Sequence, residues 1–215
     1  MKINFTCNHC NKEYPWEYDT YVNVSENPQF KEDIMEGKAF APVCPHCGAV
    51  QVVQYSLLYV DPDKKLAIAM YPRADRDIST EAEKPAEKVQ EILNMGDYTM
   101  RLVENSNDLA EKIIIGDSPY DDRLVEMMKV YYYDAMHQQL VKENTQLSDM
   151  LFGNENDKPN FWIRLMDGRT MSLDMEMDMY NDIKKDVESI LDEKTQEGFA
   201  IVNTNWAYNV LQAKK

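Results

Sequence analysis

Cys7-Asn8-His9-Cys10-Asn11 and Cys44-Pro45-His46-Cys47-Gly48 are two copies of one short pattern, a Cys-x-x-Cys pair followed at once by a residue that tolerates a left-handed backbone. They hold all four cysteines of the 215-residue chain. A Cys-x-x-Cys turn presents two thiolates from one loop while its backbone N–H groups point back at the sulfurs. The 33 residues between Cys10 and Cys44 suffice for a hairpin that brings the two turns together. The reading is one zinc ion on Cys7, Cys10, Cys44 and Cys47. Four thiolates close a tetrahedral shell and leave no position for water, which makes the site structural rather than catalytic.

Cys44-Pro45-His46-Cys47 also spells the motif of strongly oxidising disulfide exchangers. Those enzymes set the motif at a helix N-terminus, which lowers the first thiol's pKa. Here Ala49-Val50-Gln51-Val52-Val53-Gln54-Tyr55 follows, a β-branched run that reads as a strand, so the metal reading stands ahead. His9 and His46 lie inside the pairs and are read as exposed turn residues, since four thiolates already complete the shell. His137 is read as a partly buried helix residue.

Around the cysteines, residues 1–72 read as a β-rich unit. Ile3, Phe5 and the run from Trp16 to Val24 alternate as half-buried strands do. Residues 27–37 read as a short helix with Pro28 in its first turn and Gly37 just past its end. Val50 to Leu58 and Leu66 to Tyr71 read as strands flanking a hairpin at Asp61-Pro62-Asp63-Lys64-Lys65. Tyr14, Trp16, Tyr18 and Tyr21 are read as core filler rather than a recognition face.

Residues 73–80 read as a linker, after which the period turns helical through Val89, Ile92 and Leu93 with a stop at Gly96. Tyr98 to Glu104 is expected as a strand returning to the first sheet, and Leu109 to Ile115 as a short helix. Ser118-Pro119-Tyr120-Asp121-Asp122 is expected to open the longest helix, with Ser118 as cap and Pro119 at the first position. Its spacing runs through Leu124, Met127, Met128, Tyr131, Ala135 and Leu140, and at least one of Tyr131 to Tyr133 must be exposed. Beyond residue 144, 153–160 reads as a loop, Phe161 to Leu173 as a hairpin turning at Asp167-Gly168, and 174–179 as a strand end with one acidic and one methionine face. Helices through Tyr180, Ile183, Val187, Ile190 and Leu191, and through Trp206, Val210 and Leu211, complete the chain.

The expected class is therefore α+β: a zinc-ribbon-like antiparallel β unit with an inserted short helix, a helical segment over 80–144, and a small hairpin-plus-helix segment over 145–215 packing on it. Phe5-Thr6-Cys7-Asn8-His9-Cys10, Val22-Asn23-Val24 with the following Asn27-Pro28, Val43-Cys44-Pro45-His46-Cys47-Gly48, the segment from Leu57 to Lys65 and Asp121-Asp122-Arg123 together resemble the CpXC domain, a family found in bacteria and archaea. The resemblance covers about residues 1–140 and implies a CpXC-like domain over 1–144, with the paired cysteines as metal ligands and no established activity. Asn8 departs from it, standing where the family has proline, and so loosens the first turn.

The formal charge is −15, with 7 basic and 10 acidic residues in 1–75 and 16 and 28 in 76–215. Neither part is the basic module that phosphate backbones require, which argues against nucleic acid as partner. No apolar run of about 18 residues suggests a membrane span. The first residues lead into Cys7 without an apolar leader, and metal-paired thiols suit a reducing compartment, so a cytoplasmic location is expected. Asp174, Glu176, Asp178 and Asp182 are read as a solvated face rather than a Mg²⁺ or Ca²⁺ site, and the nearby methionines as core filler. The expected function is a non-catalytic module that binds another protein, with no catalytic residue assigned. The alternatives are an enzyme using carboxylates such as Asp121 or Asp174, and a nucleic-acid-binding zinc ribbon.

Overall fold

Asn11 adopts φ +56° and Gly48 φ +72°, and each left-handed residue closes a tight turn in the computed structural model, which describes residues 1–72, 91–92, 94 and 96–213. The chain is α+β and divides into two compact units, Met1–Ala110 and Glu111–Lys215.

In the first unit β1 (Lys2–Thr6) and β2 (Glu13–Glu17) pair antiparallel, with Phe5 opposite Tyr14 and Ile3 opposite Trp16. β3 (Tyr21–Asn23) leads into α1 (Pro28–Met35). Pro28 starts that helix, where its missing N–H breaks no bond, and Gly37 ends it at φ +72° with its N–H on the Ile34 carbonyl. β4 (Leu57–Asp61) and β5 (Leu66–Met70) form the expected hairpin, closed by Asp61 accepting the Lys64 N–H at 3.1 Å. Both strands are buried along their whole length, as their unbroken apolar runs require. β6 (Thr99–Val103) joins the far side of β5, so residues 99–103 do return to the sheet.

The sheet order is β3-β4-β5-β6, and it is mixed rather than antiparallel throughout: β3 lies parallel to β4, and β6 to β5. Parallel neighbours need long crossovers, and residues 24–56 and 71–98 supply them. Val50 to Leu58 is not one strand. Val50 makes a single bridge to Val43, and the strand begins only at Leu57. The linker expected at 73–80 and most of the helix around Val89 lie outside the described residues, although Ile92 is buried.

α2 (Ser106–Asp117) is longer than the expected 109–115. Ser118 does not cap the next helix: its hydroxyl donates to the Ile115 carbonyl at 2.7 Å and finishes α2 instead. α3 (Asp122–Lys142) begins four residues later, capped by Asp121, whose carboxylate accepts the Arg123 N–H at 2.9 Å. It ends where Asn144 turns left-handed at φ +51° and the N–H groups of Asn144 and Thr145 bond to the Val141 and Leu140 carbonyls. Leu124 to Val130 are buried on every side, whereas from Tyr133 to Gln139 the helix is exposed except at half-buried Met136. Tyr132 is buried between exposed Tyr131 and Tyr133. His137 is exposed, not partly buried, with its ring 5.5 Å from that of Tyr133.

β7 (Leu147–Glu155), β8 (Lys158–Leu165) and β9 (Thr170–Asp174) form an antiparallel sheet. Residues 153–160 are strand rather than loop, because Asn156 and Asp157 both take positive φ and close a two-residue hairpin. The second hairpin turns at Asp167-Gly168 as expected, with Gly168 at φ +87°. Asp174 to Met179 straddles the end of β9 and the start of α4 (Met177–Val187), so no single methionine face forms: Met175 is buried and Met177 exposed. α5 (Leu191–Lys194) and α6 (Thr204–Ala213) follow. Phe152, Phe161 and Ile163 of the sheet share one core with Leu124, Met127 and Met128 of α3, Ile183 and Val187 of α4, and Ala207 and Val210 of α6. Burying each Phe contributes about 1.5–3 kcal/mol.

Candidate metal centre

The two cysteine turns are the same piece of backbone made twice. Cys7 N–H donates to the carbonyl of Lys12, and Cys44 N–H to that of Ala49. The N–H of Asn11 bonds back to the Cys7 carbonyl at 2.8 Å, and that of Gly48 to the Cys44 carbonyl at 2.9 Å. The residue before each first cysteine faces the same partner position, Thr6 opposite Glu13 and Val43 opposite Val50. One turn thus sits at the tip of β1–β2, and the other at a hairpin reduced to a single bridge. His46 Nε2 lies 3.3 Å from the Glu13 carbonyl and connects the second turn to β2.

This doubling gathers the sulfurs. All four Sγ atoms lie within 4.8 Å of one another, with Cys7 to Cys47 and Cys10 to Cys44 each at 3.7 Å. A tetrahedral ion with metal–sulfur bonds of about 2.3 Å sets its sulfurs roughly 3.8 Å apart. The spacing is far longer than the ~2.05 Å of a disulfide, and all four cysteines are free. The donor set and its geometry therefore fit a thiolate-bound metal. No helix follows Cys47, so the second pair lacks the placement that a disulfide exchanger needs.

Tyr14 packs on Cys7 and Cys44, with Phe5, Trp16 and Ala49 around them. Trp16 stacks on Tyr18 at 4.9 Å, and Tyr55 closes on both, so this aromatic set is core. The N–H of Cys10 above all, with that of His9, holds the Cys7 thiol down at about 6 against its burial. For Cys47 the Ala49 N–H pulls downward, but desolvation and the other three sulfurs outweigh it and push the thiol up to about 12. Four sulfurs this close cannot all ionise without a cation, and a divalent metal supplies the missing charge.

The other sequence candidates are not assembled. Among the described residues the four cysteines are the group of His, Cys, Asp and Glu side chains placed to hold an ion. His9 and His46 are exposed. Asp174 is exposed at the end of β9, Asp178 lies in the first turn of α4, and Asp182 pairs with Lys185 at 3.2 Å. Asp121 caps α3 and is held by Arg123.

A model of the CpXC protein family matches residues 5–129. The chain belongs to that family. No curated protein and no solved structure matches this CpXC protein. Among its described residues no helix is long and apolar enough to cross a membrane.

The second cluster of chemistry in this CpXC protein was missed by sequence reading. Glu111 and Lys112 of α2 and Asp122, Glu126 and Lys129 of α3 are all buried. Lys129 Nζ lies 2.6 Å from Glu111 and 3.2 Å from Glu126, and Lys112 Nζ lies 2.9 Å from Glu126 and 3.1 Å from Asp122. Thr204 Oγ1 of α6 donates to Glu126 at 3.1 Å, and the Phe152 N–H of β7 donates to Glu111. Burial pushes the Glu111 carboxyl up. For Glu126 burial acts the same way, but Lys112 and Lys129 override it and hold the carboxyl below its ordinary range. A signal was present: Glu126 and Lys129 interrupt the otherwise apolar run from Leu124 to Val130.

Proposed function

We propose that this CpXC protein is a cytoplasmic, non-catalytic protein-interaction module, its N-terminal unit held by one structural zinc ion on Cys7, Cys10, Cys44 and Cys47 in a zinc-ribbon-like arrangement. The observation that carries the metal reading is the matched pair of turns with sulfurs at tetrahedral spacing. An all-thiolate tetrahedron suits zinc or iron, and zinc adds no redox chemistry to a site whose evident task is joining two hairpins. Four protein ligands leave no position for a substrate. The aromatic residues beside the cysteines are spent on packing, and the apolar surface this site offers to a partner is the second turn's outer edge. Val43, Val50 and Val52 stand 59 %, 61 % and 79 % exposed there.

Elemental analysis of the native protein is expected to find one zinc per chain. Chelation or Cys44→Ser is then expected to abolish the near-ultraviolet dichroism of the Trp16, Tyr18 and Tyr55 cluster, since structural zinc supplies roughly 10–16 kcal/mol of apparent binding energy in zinc-finger peptides. An intact aromatic signal after metal removal overturns the structural role. Pull-downs at native salt with Val50→Asp beside the parent protein test the interaction role. A partner retained equally by both refutes the proposed edge.

A further inference from the structure

The four cysteines are exposed unequally. Cys7 and Cys44 are fully buried, Cys10 is half-buried and Cys47 is exposed. A metal-bound thiolate reacts where an oxidant can touch it. Cys47 is the exposed cysteine of the four and the one an oxidant meets first. The sulfur 3.7 Å from it is Cys7, which belongs to the other turn.

We propose that Cys47 is an oxidative modification site of this centre, attacked first by hydroperoxides and resolved by Cys7 into a disulfide that joins the two turns and releases the metal. The inference rests on the zinc reading above. In the first step the Cys47 sulfur attacks the O–O bond of the hydroperoxide, which leaves as alcohol or water after taking up a proton, and Cys47 becomes a sulfenic acid. In the second step the Cys7 sulfur displaces that hydroxyl as water and forms the Cys7–Cys47 bond. Two thiols lose two electrons and one hydroperoxide gains them. The ion keeps two of its four ligands, Cys10 and Cys44, and departs. One cross-link between the turns thereby replaces another, since Cys7 sits on the β1–β2 tip and Cys47 on the second turn.

The test treats the native, full-length protein with hydrogen peroxide. Zinc release is followed with a chromogenic chelator and each cysteine's state by peptide mass spectrometry, with a parallel N-ethylmaleimide time course. The expected result is loss of one zinc per chain in step with a Cys7–Cys47 disulfide, and maleimide on Cys47 before any other cysteine. Cys10 or Cys44 reacting first, disulfides confined within each pair, or zinc leaving with all thiols reduced overturns the proposal. Absence of zinc from the untreated protein overturns the metal reading and this proposal with it, whereas zinc present with another order of reaction overturns this proposal alone.

Discussion

Replacing Lys129 by methionine removes one ammonium from a buried set of three carboxylates and two lysines. Glu111 loses the partner at 2.6 Å and keeps the Phe152 N–H, while Glu126 keeps Lys112 and Thr204. The set's formal charge moves from −1 to −2 with no new solvent to receive it. Breaking a buried pair by deleting one partner costs about 3–5 kcal/mol, because the surviving charge is left uncompensated. With a urea slope of about 2 kcal/mol per molar for a domain of this size, a loss of about 4 kcal/mol lowers the unfolding midpoint by roughly 2 M. The assay is urea unfolding in a Trp16→Phe background, where Trp162 and Trp206 report the second unit. Adding Glu111→Gln removes the stranded charge, so the double variant is expected to be more stable than Lys129→Met alone. A cost below about 1 kcal/mol for Lys129→Met, or a double variant as unstable as the sum of the singles, refutes this account of the network.

Gly153→Ala is expected to destabilise the second sheet by about 1–3 kcal/mol, seen as a lowered Tm, because its Cβ would stand 2.5 Å from Asn160 Oδ1 and 2.9 Å from the Trp162 indole; an unchanged Tm contradicts it. Asp121→Ala removes the cap of α3 and should cost about 0.5–2 kcal/mol in urea unfolding, with Asp121→Asn recovering most of it. Because Lys112 and Lys129 hold the Glu126 carboxyl below its ordinary value, its contribution is full above about pH 4.3 and is lost as pH falls through the lowered folded value. The urea-midpoint advantage of the parent protein over Glu126→Gln should therefore shrink on acidification, and an advantage independent of pH refutes the assignment.

Where residue type alone dictates backbone, the chain was legible. Pro28 and Gly37 bracket α1, Asp167-Gly168 turns the last hairpin, and Asn11 and Gly48 mark the two metal turns. The errors fall where one local pattern served two structures. Val50-Gln51-Val52-Val53 has strand chemistry, yet its valines at 50 and 52 face solvent and only Val50 makes a bridge, to Val43. Ser118-Pro119 has the form of a helix start, but the hydroxyl finds the Ile115 carbonyl of the helix behind it. Asn156-Asp157 lies in a polar stretch that resembles a loop, although two adjacent residues tolerant of positive φ are enough for a tight hairpin. The parallel pairings of β3 with β4 and β6 with β5 join segments far apart in sequence, which short-range periodicity does not encode. The cysteine site was readable because its spacing is local within each pair. The Glu111 to Lys129 network was not, because its members come from two helices and each charge alone resembles an exposed one.

α3 passes without a break from residues buried on all sides to residues exposed on nearly all sides. Its backbone hydrogen bonds therefore have two lifetimes. Amides from Leu124 to Val130 can exchange with solvent only when the second unit's core comes apart, whereas those from Tyr133 to Gln139 lie in a solvent-facing stretch, held beyond it by buried Leu140, and are released by a smaller local opening. A deuterium probe on one helix then reads both the global stability of the unit and the local stability of the helix's solvent-facing stretch.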